Sequence, residues 1–181
     1  HYINIDNLSL IPDYFSYNSF VKSRNNKKCK IVSSISMFYD LPDPVQFAKD
    51  IHSVLDDDGI WTCEQSYLLT MIKTNSLDTI CHEHLEYYGL KQIQYIAELS
   101  NFKLIDVKLN PCNGGSFRIY FCKRSCMKYE INHTNINNLL ENEENAELGK
   151  VTTYQKFMNN VNNELNKLKG FIKHIHKNNE T

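Results

Sequence analysis

The sequence predicts an α/β fold, and three observations carry that expectation. A strand, a helix and a second strand follow one another within about 35 residues, the length of a βαβ unit with parallel strands. Two later strands are joined by a glycine turn, and a long amphipathic helix closes the chain. The 181 residues, 41% hydrophobic and 23% charged, are enough for one domain of ordinary size with its own core, which excludes disordered and collagen-like architectures.

The first strand is Ile31-Val32-Ser33-Ser34-Ile35-Ser36, short, rich in β-branched residues and uncharged, as a buried strand should be. A polar loop, Ser23 to Lys28, precedes it. Asp43-Pro44 reads as N-cap and first position of a helix, with Phe47, Ala48, Ile51, Val54 and Leu55 on one apolar face. Asp56-Asp57-Asp58-Gly59 is expected to stop it with a turn, and Ile60-Trp61-Thr62-Cys63-Glu64 to form the next strand.

Leu90, Ile93, Ile96 and Ala97 recur at helical spacing, and Phe102 to Leu109 and Ser116 to Cys122 read as two more strands. In the second of these, Phe117, Ile119 and Phe121 alternate with Arg118, Tyr120 and Cys122, so one face is apolar. Asn113-Gly114-Gly115 supplies the turn, which predicts an antiparallel pair. The Asn/Glu-rich stretch 131–146 is expected to be a polar loop. Over 147–178 the residues Val151, Tyr154, Phe157, Val161, Leu165, Leu168, Phe171 and Ile175 recur every three or four positions, giving one helix of about 45 Å.

Charge and composition narrow the function. Twenty basic residues against 21 acidic ones leave a formal charge of -1, so no global field collects nucleic acid or an anionic membrane. No apolar run reaches the ~18–20 residues that span a bilayer, and His1-Tyr2-Ile3-Asn4-Ile5-Asp6 has no signal-peptide pattern, so a cytoplasmic location is expected. The six cysteines form no Cys-x-x-Cys pair and read as reduced thiols. The three Asn-x-Ser/Thr triplets, at Asn7, Asn132 and Asn179, need no glycan. A small-molecule substrate is the expectation.

Three segments can carry chemistry. Asp78-Thr79-Ile80-Cys81-His82-Glu83-His84-Leu85-Glu86-Tyr87-Tyr88 gathers imidazoles, a carboxylate, a thiol and phenols suited to proton transfer. A polar loop of capping side chains is the bland alternative, and a metal on His82 and His84 competes, although their spacing is not that of a shared helical face. Asn113-Gly114-Gly115-Ser116-x-Arg118 can aim amides, a hydroxyl and a guanidinium at an anion, or can be a plain hairpin turn. Arg118 is one of only three arginines, with Arg24 and Arg124, against 17 lysines. Met37-Phe38-Tyr39 stands at the C-terminal end of a parallel strand, where open α/β sheets bind ligands, and Glu64-Gln65-Ser66-Tyr67 faces the same crevice. There Phe38 and Tyr39 could cover a flat ring or a sulfonium cation, or simply pack.

Taken in order, Ile11-Pro12-Asp13-Tyr14-Phe15-Ser16, Met37 to Pro44, Asp57-Asp58-Gly59-Ile60-Trp61, the His82-Glu83-His84 block with Tyr87-Tyr88, and Gly114-Gly115-Ser116-x-Arg118 make the chain resemble class I S-adenosylmethionine-dependent methyltransferases that C-methylate nucleotide-linked sugars. The resemblance covers residues 8 to 124 and implies a Rossmann-like sheet of parallel strands with a C-terminal antiparallel pair. It implies a nucleotide-sugar substrate and methyl transfer to a carbon beside a ketone, with a base to form the enolate.

By that resemblance the catalytic set is His84 as base, Glu83 orienting it, and Cys81 and His82. The sugar nucleotide falls to Tyr67, Tyr87, Tyr88, Asn113, Gly114, Gly115, Ser116 and Arg118, and S-adenosylmethionine to Met37, Phe38 and Tyr39, with no metal in this chain. Many relatives have Tyr at the position of Cys81. The glycine-rich turn that cradles S-adenosylmethionine is not in the sequence, so the chain is expected to be the central part of a longer enzyme, its cofactor held mainly elsewhere. Residues 1–130 would be the C-terminal part of the methyltransferase domain, and the final helix a linker toward a C-terminal lobe; zinc belongs to an N-terminal lobe. A non-catalytic interaction module with a structural His cluster is the alternative, and a metal-dependent hydrolase a third reading. Oligomeric state is left open.

Overall fold

The computed structural model describes residues 8–24 and 27–177. The readings of His1 to Asp6, of the triplets at Asn7 and Asn179, of the middle of the loop before the first strand and of the last position of the final helix lie outside the described residues.

Helix α1 (Tyr17–Arg24) precedes strand β1 (Cys29–Ile35). Helix α2 (Pro44–Val54) starts as its sequence dictates: the Asp43 carboxylate accepts from the Gln46 amide at 2.8 Å, and Pro44 occupies a position whose N–H would have no partner. Ala48, Ile51 and Val54 are buried, and Phe47 meets Phe15 edge-on at 5.2 Å.

The turn expected at Asp56 to Gly59 is not a turn, because β2 (Leu55–Ser66) begins directly at the end of α2. It runs parallel to β1, but the register jumps: Cys29 faces Leu55 and Ile31 faces Ile60, so the extra residues form a bulge. Cations hold the bulge. Lys30 pairs with Asp56 and Asp58, Lys128 with Asp58 at 3.0 Å, and Lys123 with Asp57 at 2.9 Å. These partners keep the Asp57 and Asp58 carboxyls below the usual carboxylate range.

Helix α3 (Leu68–Thr74) lies in a stretch with no clear sequence period, and α4 (Leu90–Leu99), β3 (Phe102–Asn110) and β4 (Ser116–Lys123) form where expected. The sheet order is β1-β2-β4-β3, with β4 antiparallel to both neighbours, so the parallel pair and the antiparallel pair share one α/β sheet. Its inner face carries Trp61, Cys63, Phe117, Ile119 and Phe121, buried with Leu90, Ile93, Ile96 and Ala97 of α4. Trp61 stacks on Phe121 at 4.5 Å and 22° and donates its indole N–H to Ser34 Oγ at 3.0 Å. The expectation of a fully buried β1 is corrected: Ser34 turns to the core, while Ile31 and Ile35 on the other side are 72% and 59% exposed. Burial on both faces requires cover on both faces, and β1 stands at an edge of the described sheet.

The expected polar loop at 131–146 is also corrected. Residues His133–Asn145 form helix α5, started by Asn132, whose side chain accepts from the Asn135 amide at 3.1 Å. Ile136, Leu139 and Glu143, three and four apart, face inward, a stripe too sparse to stand out among asparagines and glutamates. Helix α6 (Val151–Lys177) has 27 residues and spans about 40 Å. Phe157 and Val161 join the core, whereas Leu168, Phe171 and Ile172 are exposed. No helix among the described residues is long and apolar enough to cross a membrane.

Candidate functional site

The C-terminal ends of β1, β2 and β3 and the start of β4 meet at one end of the sheet, and backbone hydrogen bonds fix the loops there. The Ser36 amide donates to Glu64 O at 2.8 Å, the Tyr67 amide to Gly115 O at 3.1 Å, and the Leu68 amide to Tyr88 O at 3.1 Å. The Tyr39 carbonyl accepts from both Leu85 and Glu86, at 3.0 and 3.1 Å, so the segment after His84 is pinned to the end of β1. Gly115 is the close approach in this assembly. Its φ is +126°, and a Cβ there would lie 2.2 Å from Thr70 Cγ2.

His84 sits in a narrow cleft lined by Tyr39, Tyr67, Leu68, Met71, Tyr87 and Tyr88, with about 10 Å³ of free volume, room for at most one water. Its Nδ1 lies 2.7 Å from the Thr79 carbonyl oxygen. A carbonyl only accepts, so Nδ1 carries the proton and the neutral ring keeps its lone pair on Nε2. The ring also packs against Tyr39, centroids 4.3 Å apart, and meets Tyr87 edge-on at 6.5 Å. Burial pushes the phenols of Tyr39, Tyr67, Tyr87 and Tyr88 up from their ordinary value. They are donors near neutral pH, and His84 supplies the imidazole of the cleft.

The expected partnership of Glu83 with His84 is corrected. Glu83 lies 3.7 Å from His82 Nε2, with both side chains largely in solvent, and the Thr79 carbonyl orients His84 instead. Cys81 is half-buried and lies near the phenols of Tyr39 and Tyr87. Among the described residues no group of three or more His, Cys, Asp and Glu side chains is arranged to hold a metal ion.

The residues expected to take the sugar nucleotide divide into several environments. Tyr67 is buried and donates to Glu143 Oε1 at 2.9 Å, and Tyr88 is buried with its hydroxyl unpartnered among the described residues. Ser116 is buried and donates to Cys112 O at 2.9 Å, while Asn113 donates to Ser36 Oγ at 3.2 Å. Gly114, at φ +77°, has open space around it. Arg118 is half-exposed and donates through Nε to Glu64 Oε2 at 2.6 Å, where Asn110 Nδ2 also donates at 3.0 Å. Glu64 itself is buried.

Of the residues expected to meet S-adenosylmethionine, two are engaged in the core and one lies at its edge. Phe38 is 1% exposed and spends its ring on Phe47, Trp61 and Tyr88, at 5.7–5.9 Å. Tyr39 is engaged with His84, which leaves Met37 alone at the surface of the core.

Glu143 was not legible as a site residue. Its carboxylate, 5% exposed, accepts from Tyr67 and from the Leu90 and Lys91 amides at 2.5 and 3.3 Å, so α5 caps the N-terminus of α4. The one available signal is its place seven residues after Ile136 on the inward stripe.

Residues 111–181, from the glycine turn through α6, match the family described as C-methyltransferase C-terminal domain. The C-methyltransferase NovU of Streptomyces niveus is 25% identical over 128 residues, 71% of this chain. Both likenesses, over residues 111–181 and over the 128 aligned residues, are to C-methyltransferases. The chain spans 30% of the length of that relative. Solved structures with a partial likeness include the mitomycin 7-O-methyltransferase MmcR, at 10% identity and TM-score 0.44 over 54% of this chain and 30% of that one. Another is LepI in complex with SAM, at 11% identity and TM-score 0.43 over 54% of this chain and 27% of that one.

Proposed function

We propose that this protein methylates a carbon beside the ketone of a nucleotide-linked sugar, with S-adenosylmethionine as the methyl donor and His84 as the base. The observation that supports it most is the 2.7 Å contact of His84 Nδ1 with Thr79 O, which puts the lone pair of the neutral ring on Nε2, beside a cleft of donor phenols. A carbon next to a ketone becomes a nucleophile when its proton is taken, and Nε2 takes that proton. The imidazolium that forms keeps its Nδ1–H bond to Thr79 and lies against the Tyr39 ring, whose face stabilises a cation. Tyr87 and Tyr88 line the sugar side, and Arg118, held on Glu64, offers its remaining N–H groups to an anionic group of the substrate. The methyl donor is bound mainly outside these residues.

The test is transfer of labelled methyl from S-adenosylmethionine to a nucleoside-diphosphate keto sugar by the full-length gene product. Label on a C–CH₃ group, with kcat lowered about 10²–10⁴-fold in His84→Gln, is the expected result. Equal transfer by wild type and His84→Gln overturns the role of His84. No transfer by either favours the non-catalytic interaction module, for which the exposed Leu168, Phe171 and Ile172 of α6 speak.

A further inference from the structure

The residue before the pinned segment is His84, whose ring is oriented by the Thr79 carbonyl and packed against Tyr39. The Tyr39 carbonyl receives the Leu85 and Glu86 amides, and its ring lies 4.3 Å from the imidazole at 52°. Tyr39 is itself held from behind. It is buried, and Ser36 stands three residues before it, just past the end of β1. Ser36 has a positive φ of +51°, a conformation unfavourable for a serine, and is kept there from two sides. Its amide donates to Glu64 O at 2.8 Å, and its hydroxyl accepts from Asn113 Nδ2 at 3.2 Å. Asn113 opens the Gly114-Gly115 turn.

We infer that Tyr39 is a positioning residue of His84, holding the ring on the Thr79 carbonyl, and that Ser36 and Asn113 tie this pair to the glycine turn, so that the turn and the imidazole move together. The assignment gives Tyr39 a task on the chain's own base in place of cofactor cover. It also joins two motifs about thirty residues apart in sequence through the end of β1. The functional meaning rests on the reading of His84 as a base, but the physical claim does not.

The test reads His84 itself. Long-range ¹⁵N correlation spectra report which ring nitrogen carries the proton, and peptide mapping after diethyl pyrocarbonate treatment reports the rate at which His84, among the seven histidines, is carbethoxylated. Wild type is expected as the Nδ1–H tautomer. Tyr39→Phe keeps the ring and the carbonyl and should retain that tautomer, with a rate within about twofold. Tyr39→Leu removes the ring and should give mixed tautomers and carbethoxylation faster by about five- to tenfold.

Ser36→Gly accepts the positive φ without strain and so keeps the fold, and it should speed His84 modification by about threefold. An unchanged tautomer and rate in folded Tyr39→Leu overturns the inference. If that variant fails to fold, an unchanged rate in Ser36→Gly overturns it. Shifts in these variants, in a protein that transfers no methyl group, would sink the proposed function and leave the positioning intact.

Discussion

Replacing Gly115 by alanine should cost more than any other single-methyl change at this end of the sheet. Two effects add. The backbone, at φ +126°, lies in a region that L-residues enter only with strain of about 1–3 kcal/mol. The new Cβ would stand 2.2 Å from Thr70 Cγ2 and 3.0 Å from Thr70 Cβ, and relieving such an overlap costs about 1–3 kcal/mol. The sum, about 2–6 kcal/mol, is a large part of the ~5–15 kcal/mol that holds a domain together. Gly114→Ala is the control, since nothing lies within 4 Å of its added Cβ, and it should cost only about 1–2 kcal/mol for its φ of +77°. Urea unfolding followed by circular dichroism reads both. Adding Thr70→Ser, which removes Cγ2 alone, should recover about 1–2 kcal/mol of the Gly115→Ala loss and leave the backbone strain. Equal costs at the two glycines, or no recovery with Thr70→Ser, would refute the reasoning.

Other substitutions separate core from site. Tyr67→Phe, which leaves the buried Glu143 without its phenol donor, should lose about 1–3 kcal/mol in urea unfolding, while Tyr88→Phe, which removes an unpartnered hydroxyl, should be neutral or stabilising. Phe38→Ala should cost about 3–5 kcal/mol in the same assay, as a core ring does and a ligand cover does not. Burial first, and then the Lys123 charge, hold His52 below its ordinary value. The neutral ring is thus the favoured form in the fold. Its stabilising share is full above about pH 6.5 and is lost as pH falls through the lowered folded value. Thermal melting between pH 7.5 and pH 5 should therefore drop more steeply in wild type than in His52→Gln, and equal slopes would contradict the assignment.

Local signals were legible in the sequence, and long-range ones were not. Asp43-Pro44 announces α2 because a cap and a proline act within one turn, and the alternation of Phe117, Ile119 and Phe121 fixes the face of β4. The aspartates 56–58 read as a turn because the cations that hold them in a bulge, Lys30, Lys123 and Lys128, come from other segments. Helix α5 escaped notice for a related reason: Glu143 looks like a surface residue until Tyr67 and the start of α4 are brought to it. At the site, the histidine block and the glycine turn were visible as motifs. Which neighbour orients His84 was not, since a backbone carbonyl such as that of Thr79 leaves no mark in the residue types.

The central claim is that His84 Nε2 takes a proton from the carbon beside the ketone, and the most direct test omits the methyl donor. The full-length protein is incubated in D₂O with a nucleoside-diphosphate keto sugar, and deuterium entering that carbon is followed by NMR. Wild type should exchange the proton, with His84→Gln slower by about 10²–10⁴-fold. Exchange at the same rate in both proteins would contradict the claim.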